Sequence, residues 1–464
     1  MAFDYLFSDR DGEIQSERLL VEAAAKGDLD TVVKLLKNGV SVDAEEYNKA
    51  LFYASKNYMT PLQMAAANGN IDCLEVLIAH GADVNAKDRF DVTAVHMAAE
   101  KGNLSCLKAL LNASAECSHP TKYSKTGCYT AVPHLGGTTP LHLAAACNNV
   151  NCVKELIQYG ADYNAVDERG RTSLYIAAQF GYEDCALAHL KNAVGRDILS
   201  LPSFETFDTP LHFAVSRGMV ECVRELLKFG SDVNHLNFSG SSPLHLCVTP
   251  TTENESVSME ILKMLVLEGY NTNINQVDGT DLTPLHYVCF NGRNCLRRRP
   301  EMAKFLISYG ANVRIKSTRG FSLLEYELKS SADDFDILRY IVRSMLHLPR
   351  LKQLRVVQQM PYMPPRELLN NPQNREVMVF EMAVAYQASL RGNNRPDSSN
   401  CETAITEHKH SWYEYISCNP RTLQHYCRYA IRNAIAQGSR SMKLINQLPI
   451  PNSLQSYLFL DYDE

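Results

Sequence analysis

The sequence predicts an all-α fold, in which a solenoid of repeated helix–turn–helix units with β-turn fingers precedes a small helical module. Three observations indicate this architecture. A tetrapeptide of the Thr-Pro-Leu-His type recurs along most of the 464 residues. The apolar residues that follow each tetrapeptide keep helical spacing. The last part of the sequence contains two more segments with apolar stripes at helical spacing.

The tetrapeptides act as anchors that recur at a nearly constant interval, which is the mark of a stacked repeat protein. Seven anchors are visible, and Ser322 begins a degenerate eighth. They start at Thr60, Thr93, Thr139, Thr172, Thr209, Ser242 and Thr283. Successive anchors lie 33, 46, 33, 37, 33, 41 and 39 residues apart. Three intervals are the bare period, and the longer ones contain insertions, notably near 112–137 and 249–258.

Each anchor predicts the start of a helix. Threonine caps the helix through its hydroxyl, proline fits the first helical position and leucine points inward. In the second full unit this helix ends at Asn68-Gly69. A second helix over residues 71–80 places Leu74 and Leu77 on one face and ends at Gly81, which suits a left-handed cap.

The segment after each second helix opens a turn-rich finger. Ala82-Asp83-Val84-Asn85 is the first example, and related sequences recur at 161–164, 231–234 and 311–314. Two helices and a β-turn in one stackable unit resemble the ankyrin repeat. The resemblance implies about nine repeats over residues 17–348, with 1–16 as an N-terminal tail and atypical terminal repeats.

The register of the repeats explains most of the cysteines and histidines. Five cysteines lie 13 residues after an anchor, at Cys73, Cys106, Cys152, Cys185 and Cys222. A thiol at one fixed position in five repeats is interpreted as a small core residue rather than a nucleophile. Five anchor histidines are expected to form hydrogen bonds between adjacent turns, at His96, His142, His212, His245 and His286.

Composition excludes several classes of function. Lys+Arg 46 against Asp+Glu 52 gives a formal charge of -6, which does not suit a nucleic-acid-binding protein. No apolar window is long enough for a membrane span, and the first residues do not resemble a signal peptide. Fourteen cysteines without an export signal favour a reducing compartment, so we expect the cytoplasm, with the nucleus also open.

No catalytic constellation is recognisable, and the sequence predicts no catalytic residue, cofactor or metal site. The insertion at 112–137 contains Cys117, His119, Cys128 and His134, but their spacing matches no zinc pattern and favours a solvated loop. The basic cluster at 293–299 is interpreted as a solvated face, with contact to an acidic partner as the alternative.

After about residue 348 the repeat period is lost. Residues 349–418 read as a helical connector. A new helix then begins near Asn419-Pro420, with Thr422 as its cap, and Leu423, Cys427 and Ile431 share one face. Such a short stripe either packs on the connector or docks into the groove of a partner.

A second C-terminal segment contains Leu448-Pro449-Ile450-Pro451, which the prolines hold extended, followed by Leu454 and Tyr457 at helical spacing. The two segments in this order resemble a SOCS box over residues 419–464. With the repeats before it, the chain resembles the ankyrin repeat and SOCS box family.

The resemblance implies a substrate-recognition subunit of an elongin–cullin–RING E3 ubiquitin ligase, which is not itself an enzyme. The elongin-binding residues would be Thr422, Leu423, Cys427 and Ile431. The residues that contact cullin-5, which carries a RING-box protein, would be Leu448, Pro449, Ile450, Pro451, Leu454 and Tyr457. The alternative is a passive ankyrin scaffold whose C-terminal helices only cap the array.

The target protein would bind on the concave face of the repeats, where turn fingers and first helices meet. Candidate contacts are residues in or near the turns, namely Arg89, Phe90, Arg169, Phe238 and Arg319. An aromatic side chain beside an arginine is a common interface anchor, whereas the alternative is an ordinary turn residue. The sequence does not identify the target.

Overall fold

A computed structural model describes residues 3–43, 59–122, 136–192, 201–249, 255–290, 299–329 and 336–345. These ranges contain eighteen α-helices and no β-strand, and one isolated antiparallel bridge joins Lys316 to Ser322. The all-α prediction is therefore confirmed. The chain divides into two compact units, Met1–Asp232 and Val233–Glu464.

The first unit contains six successive helix pairs. They are α1 (Phe3–Lys26), α2 (Leu29–Lys37), α3 (Pro61–Asn68), α4 (Ile71–Ala79), α5 (Ala94–Lys101), α6 (Leu104–Asn112), α7 (Pro140–Ala146), α8 (Val150–Gln158), α9 (Ser173–Phe180), α10 (Glu183–Asn192), α11 (Pro210–Ser216) and α12 (Val220–Lys228). Odd-numbered helices pack on odd-numbered neighbours and even-numbered helices on even-numbered ones, so the pairs stack in two layers. Pairs of fully buried alanines, such as Ala98 and Ala99, let the odd-numbered helices approach closely.

The second unit contains three helix pairs within the described residues. They are α13 (Pro243–Val248), α14 (Glu255–Leu267), α15 (Pro284–Phe290), α16 (Arg299–Ser308), α17 (Leu323–Lys329) and α18 (Asp336–Ser344). The same layering holds, because α15 packs on both α13 and α17, and α16 packs on α18. The basic cluster at 293–299 lies outside the described residues except for the start of α16.

Helix α1 begins at Phe3, so it covers most of the segment 1–16 that the sequence analysis treats as a tail. The first 26 residues contain no proline, which would interrupt a helix. Leu20, Val21 and Ala24 are buried, and α1 packs on both α2 and α3. The helix pair α1–α2 therefore stacks on the pair α3–α4, although it has no anchor tetrapeptide.

The anchors begin helices as predicted, through caps that also join neighbouring repeats. At α7 the backbone N–H of Thr139 donates to His142 Nδ1 at 3.1 Å, and His142 Nε2 lies 2.9 Å from the carbonyl oxygen of Arg171 in the next finger. Since Nδ1 accepts, Nε2 carries the proton and donates. His96 and His245 make the same pair of contacts. The predicted hydrogen bonds between turns are thus confirmed at these three histidines.

A row of asparagine side chains, which the sequence analysis did not recognise, forms a second link between repeats. Asn149 Nδ2 donates to the carbonyl oxygens of Ala99 and Glu100, at 2.8 and 2.7 Å. Asn70 and Asn103 bind the end of the preceding first helix in the same way. These carbonyls belong to the last turn of a helix and have no partner within it, so each asparagine completes the helix of its neighbour.

Candidate protein-binding site

Seven fingers of the described residues share one local geometry. We define them as finger 1 (88–92), finger 2 (121–138), finger 3 (167–171) and finger 4 (203–208) in the first unit, and finger 5 (237–241), finger 6 (278–282) and finger 7 (317–321) in the second. In each finger the first residue donates its backbone N–H to the carbonyl oxygen of the last. In finger 1 the Asp88 carboxylate also accepts from the N–H groups of Phe90 and Val92, both at 2.8 Å.

Backbone hydrogen bonds join the fingers into a ladder within each unit. The second residue of one finger donates its N–H to a carbonyl oxygen in the finger before it. The bonds in the first unit are Lys122 to Phe90 at 2.8 Å, Glu168 to Gly136 at 2.9 Å and Phe204 to Arg169 at 2.8 Å. Gly279 bonds to Ser239 at 3.0 Å in the second unit. The finger tips are therefore held in fixed register with one another.

The ladder locates the insertion at 112–137. Thr121 donates to Thr138, and Gly137 donates to Thr121, which are the bonds that close every other finger. Lys122 and Gly136 each keep a ladder bond. The extra residues are therefore 123–135, which separate Lys122 from Gly136 in the sequence and lie outside the described residues.

Two of the four metal-ligand candidates in this insertion are described. Cys117 is half-buried, with Sγ 3.8 Å from the carbonyl oxygen of Tyr159. His119 Nδ1 lies 3.5 Å from Glu116 Oε2, and its ring meets His96 edge-on at 6.4 Å. Cys128 and His134 lie outside the described residues. Within the ranges that are described, no group of three or more His, Cys, Asp or Glu side chains is placed to hold a metal ion.

The structure places the predicted target contacts at the second or third position of four fingers. Arg89 is exposed, and its guanidinium carbon lies 4.3 Å from the centre of the Phe90 ring. Phe90 itself is half-buried against Met59, Val92 and Met97. Phe90 thus packs inward on its own repeat, and Arg89 covers it.

The other three predicted contacts lie at the surface. Arg169 is exposed on finger 3, and its Nε lies 3.2 Å from Glu205 Oε1 on finger 4. Phe238 on finger 5 is 80% exposed, and Arg319 on finger 7 is exposed. Arg89, Phe90 and Arg169 thus share the ladder of the first unit, whereas Phe238 and Arg319 share that of the second.

Finger 4 carries two exposed aromatic residues that the sequence analysis missed. Phe204 is 66% exposed and Phe207 is 47% exposed. The signal was present in the interval of 37 residues between Thr172 and Thr209, which is longer than the bare period. The interval alone, however, does not reveal that one of the extra residues lies in finger 4. The backbone hydrogen bonds of the finger are needed to show this.

The register cysteines are buried, as interpreted from the sequence. Burial raises the pKa of the Cys106 and Cys152 thiols to about 11, and that of Cys185 and Cys222 to about 12. The pKa of Cys73 is also raised by burial. A thiol with so high a pKa carries almost no thiolate at neutral pH and is a poor nucleophile.

We therefore expect the register cysteines to resist alkylation in the folded protein. Iodoacetamide at pH 8, followed by peptide mass spectrometry, should label the half-buried Cys117 well before Cys185 or Cys222. Unfolding in guanidinium should remove the difference. Labelling of Cys222 as fast as Cys117 in the folded protein would contradict the core assignment.

No helix within the described ranges has the length and apolar character that crossing a bilayer requires. The predicted elongin-binding residues Thr422, Leu423, Cys427 and Ile431 lie outside the described residues. The same holds for the predicted cullin-binding residues, Leu448, Pro449, Ile450, Pro451, Leu454 and Tyr457. The site described here is therefore the finger surface of the repeats.

Comparison with known proteins finds two kinds of domain. Ankyrin repeat family models match residues 20–121 and 124–199 (three copies), 199–247 (many copies) and 280–318. The SOCS box model matches residues 419–458. This combination implies, in general, a non-catalytic substrate receptor of an E3 ubiquitin ligase, and the SOCS box suggests binding of elongin B/C and a cullin in general.

Individual relatives share one or both domains. Ankyrin repeat and SOCS box protein 16 of Homo sapiens is 25% identical over 347 residues, which cover 62% of this chain and 73% of that protein. The B-cell lymphoma 3 protein homolog of Mus musculus is 32% identical over 155 residues, 33% of this chain and 31% of that protein. The crystal structure of the human ASB11 ankyrin repeat domain is 24% identical and covers 52% of this chain and 96% of that chain, with a TM-score of 0.41. With ankyrin repeats that precede a SOCS box on one chain, this protein belongs to the ankyrin repeat and SOCS box family.

Proposed function

We propose that this chain is the substrate-recognition subunit of an elongin–cullin–RING E3 ubiquitin ligase. The observation that carries the proposal is the SOCS box match at 419–458, which follows ankyrin repeats on the same chain. The ankyrin repeats bind a target protein, and the SOCS box binds elongin B, elongin C and cullin-5 with its RING-box protein. Target ubiquitination and degradation follow from that assembly.

The elongin contact is assigned to the helix that the sequence predicts from about Thr422. Leu423, Cys427 and Ile431 recur every four residues, which gives a helix one apolar stripe. Burying a leucine or isoleucine side chain in a partner contributes about 1.5–3 kcal/mol before the cost of ordering. The Leu448-Pro449-Ile450-Pro451 segment, which its prolines predict to be extended, is assigned to cullin-5 together with Leu454 and Tyr457.

In this assembly the chain contributes proximity rather than chemistry. A receptor that holds a target beside an activated ubiquitin replaces a chance encounter of two proteins by a prepositioned one. The ladder of fingers supports this role, because its backbone bonds hold exposed side chains of successive repeats in fixed positions. Preordered contacts bind with a smaller loss of conformational entropy.

The cytoplasm, with access to the nucleus, is the proposed location. In support, all nine cysteines of the described ranges are free thiols. Free thiols are the usual state in the reducing environment of these compartments.

Co-expression with elongins B and C tests the proposal. The unmodified chain is expected to co-elute with both elongins in size-exclusion chromatography. The double variant Leu423→Asp, Cys427→Arg is expected to lose co-elution, because it places two charges in a stripe that must be buried. The matched double variant Gln424→Ala, Arg428→Ala changes the same helix outside the stripe and is expected to co-elute normally.

A second arm separates the two halves of the SOCS box. The double variant Pro449→Ala, Pro451→Ala is expected to retain the elongins and lose cullin-5, because the extended segment is no longer held. If the unmodified, folded chain fails to co-elute with the elongins, the alternative of a non-catalytic scaffold, in which the C-terminal helices only cap the array, replaces the ligase assignment.

A further inference from the structure

Finger 4 departs from the other six fingers in its length and in the residue type at one backbone position. Its closing hydrogen bond joins Ser203 to Asp208, so finger 4 contains six residues, whereas fingers 1, 3, 5, 6 and 7 each contain five. In every finger the next-to-last residue donates its backbone N–H to the carbonyl oxygen of the first residue, and it has a positive φ. That residue is Asp91 (59°), Gly137 (78°), Gly170 (72°), Phe207 (56°), Gly240 (72°), Asp281 (57°) or Gly320 (73°).

A phenylalanine at this position is strained. Glycine has no Cβ and aspartate tolerates the left-handed region, whereas a bulky side chain is rarely found there. The ring of Phe207 is 47% exposed, so burial offsets only part of the strain. Glycine or aspartate would serve the fold better, which indicates that the aromatic ring has another use.

The strained residue sits in a finger that its own hydrogen bonds hold rigid. The Phe207 N–H donates to the carbonyl oxygen of Ser203 at 3.1 Å, and the Thr206 N–H donates to Ser203 Oγ at 3.3 Å. Thr206 Oγ1 lies 2.9 Å from Ser203 Oγ and 3.4 Å from the Tyr175 hydroxyl of helix α9. The finger is thus ordered before any partner arrives.

A second aromatic ring and a guanidinium complete the surface. A Cβ added to Gly170 would lie 2.6 Å from the Phe204 ring, so this ring rests on finger 3 where glycine leaves room. Arg169 is positioned by the contact of its Nε with Glu205. Its two Nη groups make no ion pair or hydrogen bond to the described residues, and they can donate to a carboxylate in bidentate geometry.

We infer that fingers 3 and 4 form a docking site for a target segment in which an apolar side chain lies next to an acidic one. The apolar side chain contacts Phe204 and Phe207, and the carboxylate pairs with Arg169. Charge complementarity selects this occupant, because Arg169 lies on the finger that bonds to finger 4 with its two exposed rings, and of its guanidinium only Nε is engaged within the described ranges, by Glu205. The inference rests on the proposed function, since it specifies where the receptor binds its target and which kind of target segment it binds.

Phage display of random 12-residue peptides on the full chain, co-purified with elongins B and C, provides the probe. Selected peptides are expected to share an aromatic or large aliphatic residue adjacent to Asp or Glu. Each peptide is then synthesised with a fluorophore, and its affinity is measured by polarisation for the unmodified chain and for the variants Phe207→Gly, Phe204→Ser and Arg169→Gln. Tyr270→Ser removes an aromatic residue that is 84% exposed outside the fingers and serves as the control.

The three site variants are expected to weaken binding at least about tenfold, which is a change of about 1.4 kcal/mol, whereas Tyr270→Ser leaves it unchanged. Phe207→Gly is the decisive variant, because it should also raise Tm, by about 2–4 °C, as strain is relieved. Weaker binding together with a higher Tm cannot come from misfolding.

Equal binding by Phe207→Gly and the unmodified chain would overturn the inference. So would selection of peptides without the apolar–acidic pair, or a concentration-dependent dimer that Phe204→Ser dissolves. Elongin co-elution is recorded for every variant. Because the fingers lie outside the SOCS box, unchanged peptide binding by the site variants with elongins retained refutes the docking site alone, whereas a failure of the unmodified chain to co-elute with the elongins refutes the proposed function.

Discussion

Lowering the pH from 7 to 5 is expected to destabilise each of the two units of the ankyrin array by at least about 2 kcal/mol, well before the carboxylates titrate. Burial lowers the pKa of His142 and His189 in the first unit, that of His189 to about 3. Burial also lowers the pKa of His245 and His286 in the second unit, that of His286 to about 4. Each of these rings stays neutral in the folded protein.

Stability falls with pH because the unfolded chain binds more protons than the folded protein does. An unfolded histidine binds a proton near pH 6.5, whereas the buried ring does not. Below pH 6.5 the unfolded chain therefore binds more protons, and the free energy of unfolding falls as the pH falls. The loss continues down to the pKa of the folded ring, about 4 for His286 and about 3 for His189. At pH 5 His189 and His286 each remove about 2 kcal/mol.

The surroundings of two of these rings explain why their protonation lowers the free energy of unfolding. His142 Nδ1 accepts the backbone N–H of Thr139. A proton on Nδ1 would place two hydrogen-bond donors opposite each other with no acceptor between them. His189 Nε2 is buried and makes no hydrogen bond to the described residues. Burial thus outweighs the favourable interaction of a charged His142 with Asp167, and a charge on His189 has no acceptor at Nε2 among the described residues.

Urea unfolding monitored by circular dichroism at pH 7, 6 and 5 checks this expectation. His189→Leu should raise stability at pH 7, because it removes an unsatisfied buried nitrogen. It should also reduce the loss between pH 7 and pH 5 by about 2 kcal/mol. Stability that does not change between pH 7 and pH 5, or an unchanged pH dependence in His189→Leu, would contradict the assignment.

Replacing Gly102 by alanine is expected to cost about 2–5 kcal/mol. Gly102 has a φ of 76°, at which alanine loses about 1–2 kcal/mol. In addition, the new Cβ would lie 2.7 Å from Asn149 Oδ1. Displacing Asn149 breaks its bonds to Ala99 and Glu100 and removes this donor from two helix-end carbonyls, a loss of about 1–3 kcal/mol.

Gly160 provides a matched control. Its φ is 85°, and no heavy atom lies within 4 Å of an added Cβ. Gly160→Ala should therefore show the backbone cost alone. The excess in Gly102→Ala should disappear when Asn149 is already alanine, as a double-mutant cycle measured by urea unfolding would reveal. Equal costs for the two glycine variants would show that the asparagine link adds little.

Much of the fold was predictable, because the anchors carry local signals. Thr60 and Pro61 specify a helix start whatever surrounds them, and Gly81 specifies its end. The histidine contacts were also predictable, since one position repeated in every unit faces the same neighbour. Helix α1 was not, because it begins without an anchor and is stabilised by packing on α2 and α3 rather than by its own cap.

The candidate site was only partly predictable. Arg169 was found because an exposed arginine in a turn is recognisable from its position. Phe90 was expected beside Arg89 as a contact, yet its burial depends on Met59 and Met97, which lie in other parts of the fold. The backbone angle of Phe207 depends on which finger residue bonds to Ser203, a feature that no residue pattern states.

The position of residues 123–135 has a practical consequence for protein engineering. Thr121 and Thr138 close finger 2, and Lys122 and Gly136 bond to the neighbouring fingers. None of these bonds uses residues 123–135. Since the entropy of closing a loop grows only slowly with its length, this segment is the natural place to graft an epitope tag or a fluorescent reporter while the repeats on either side keep their stacking.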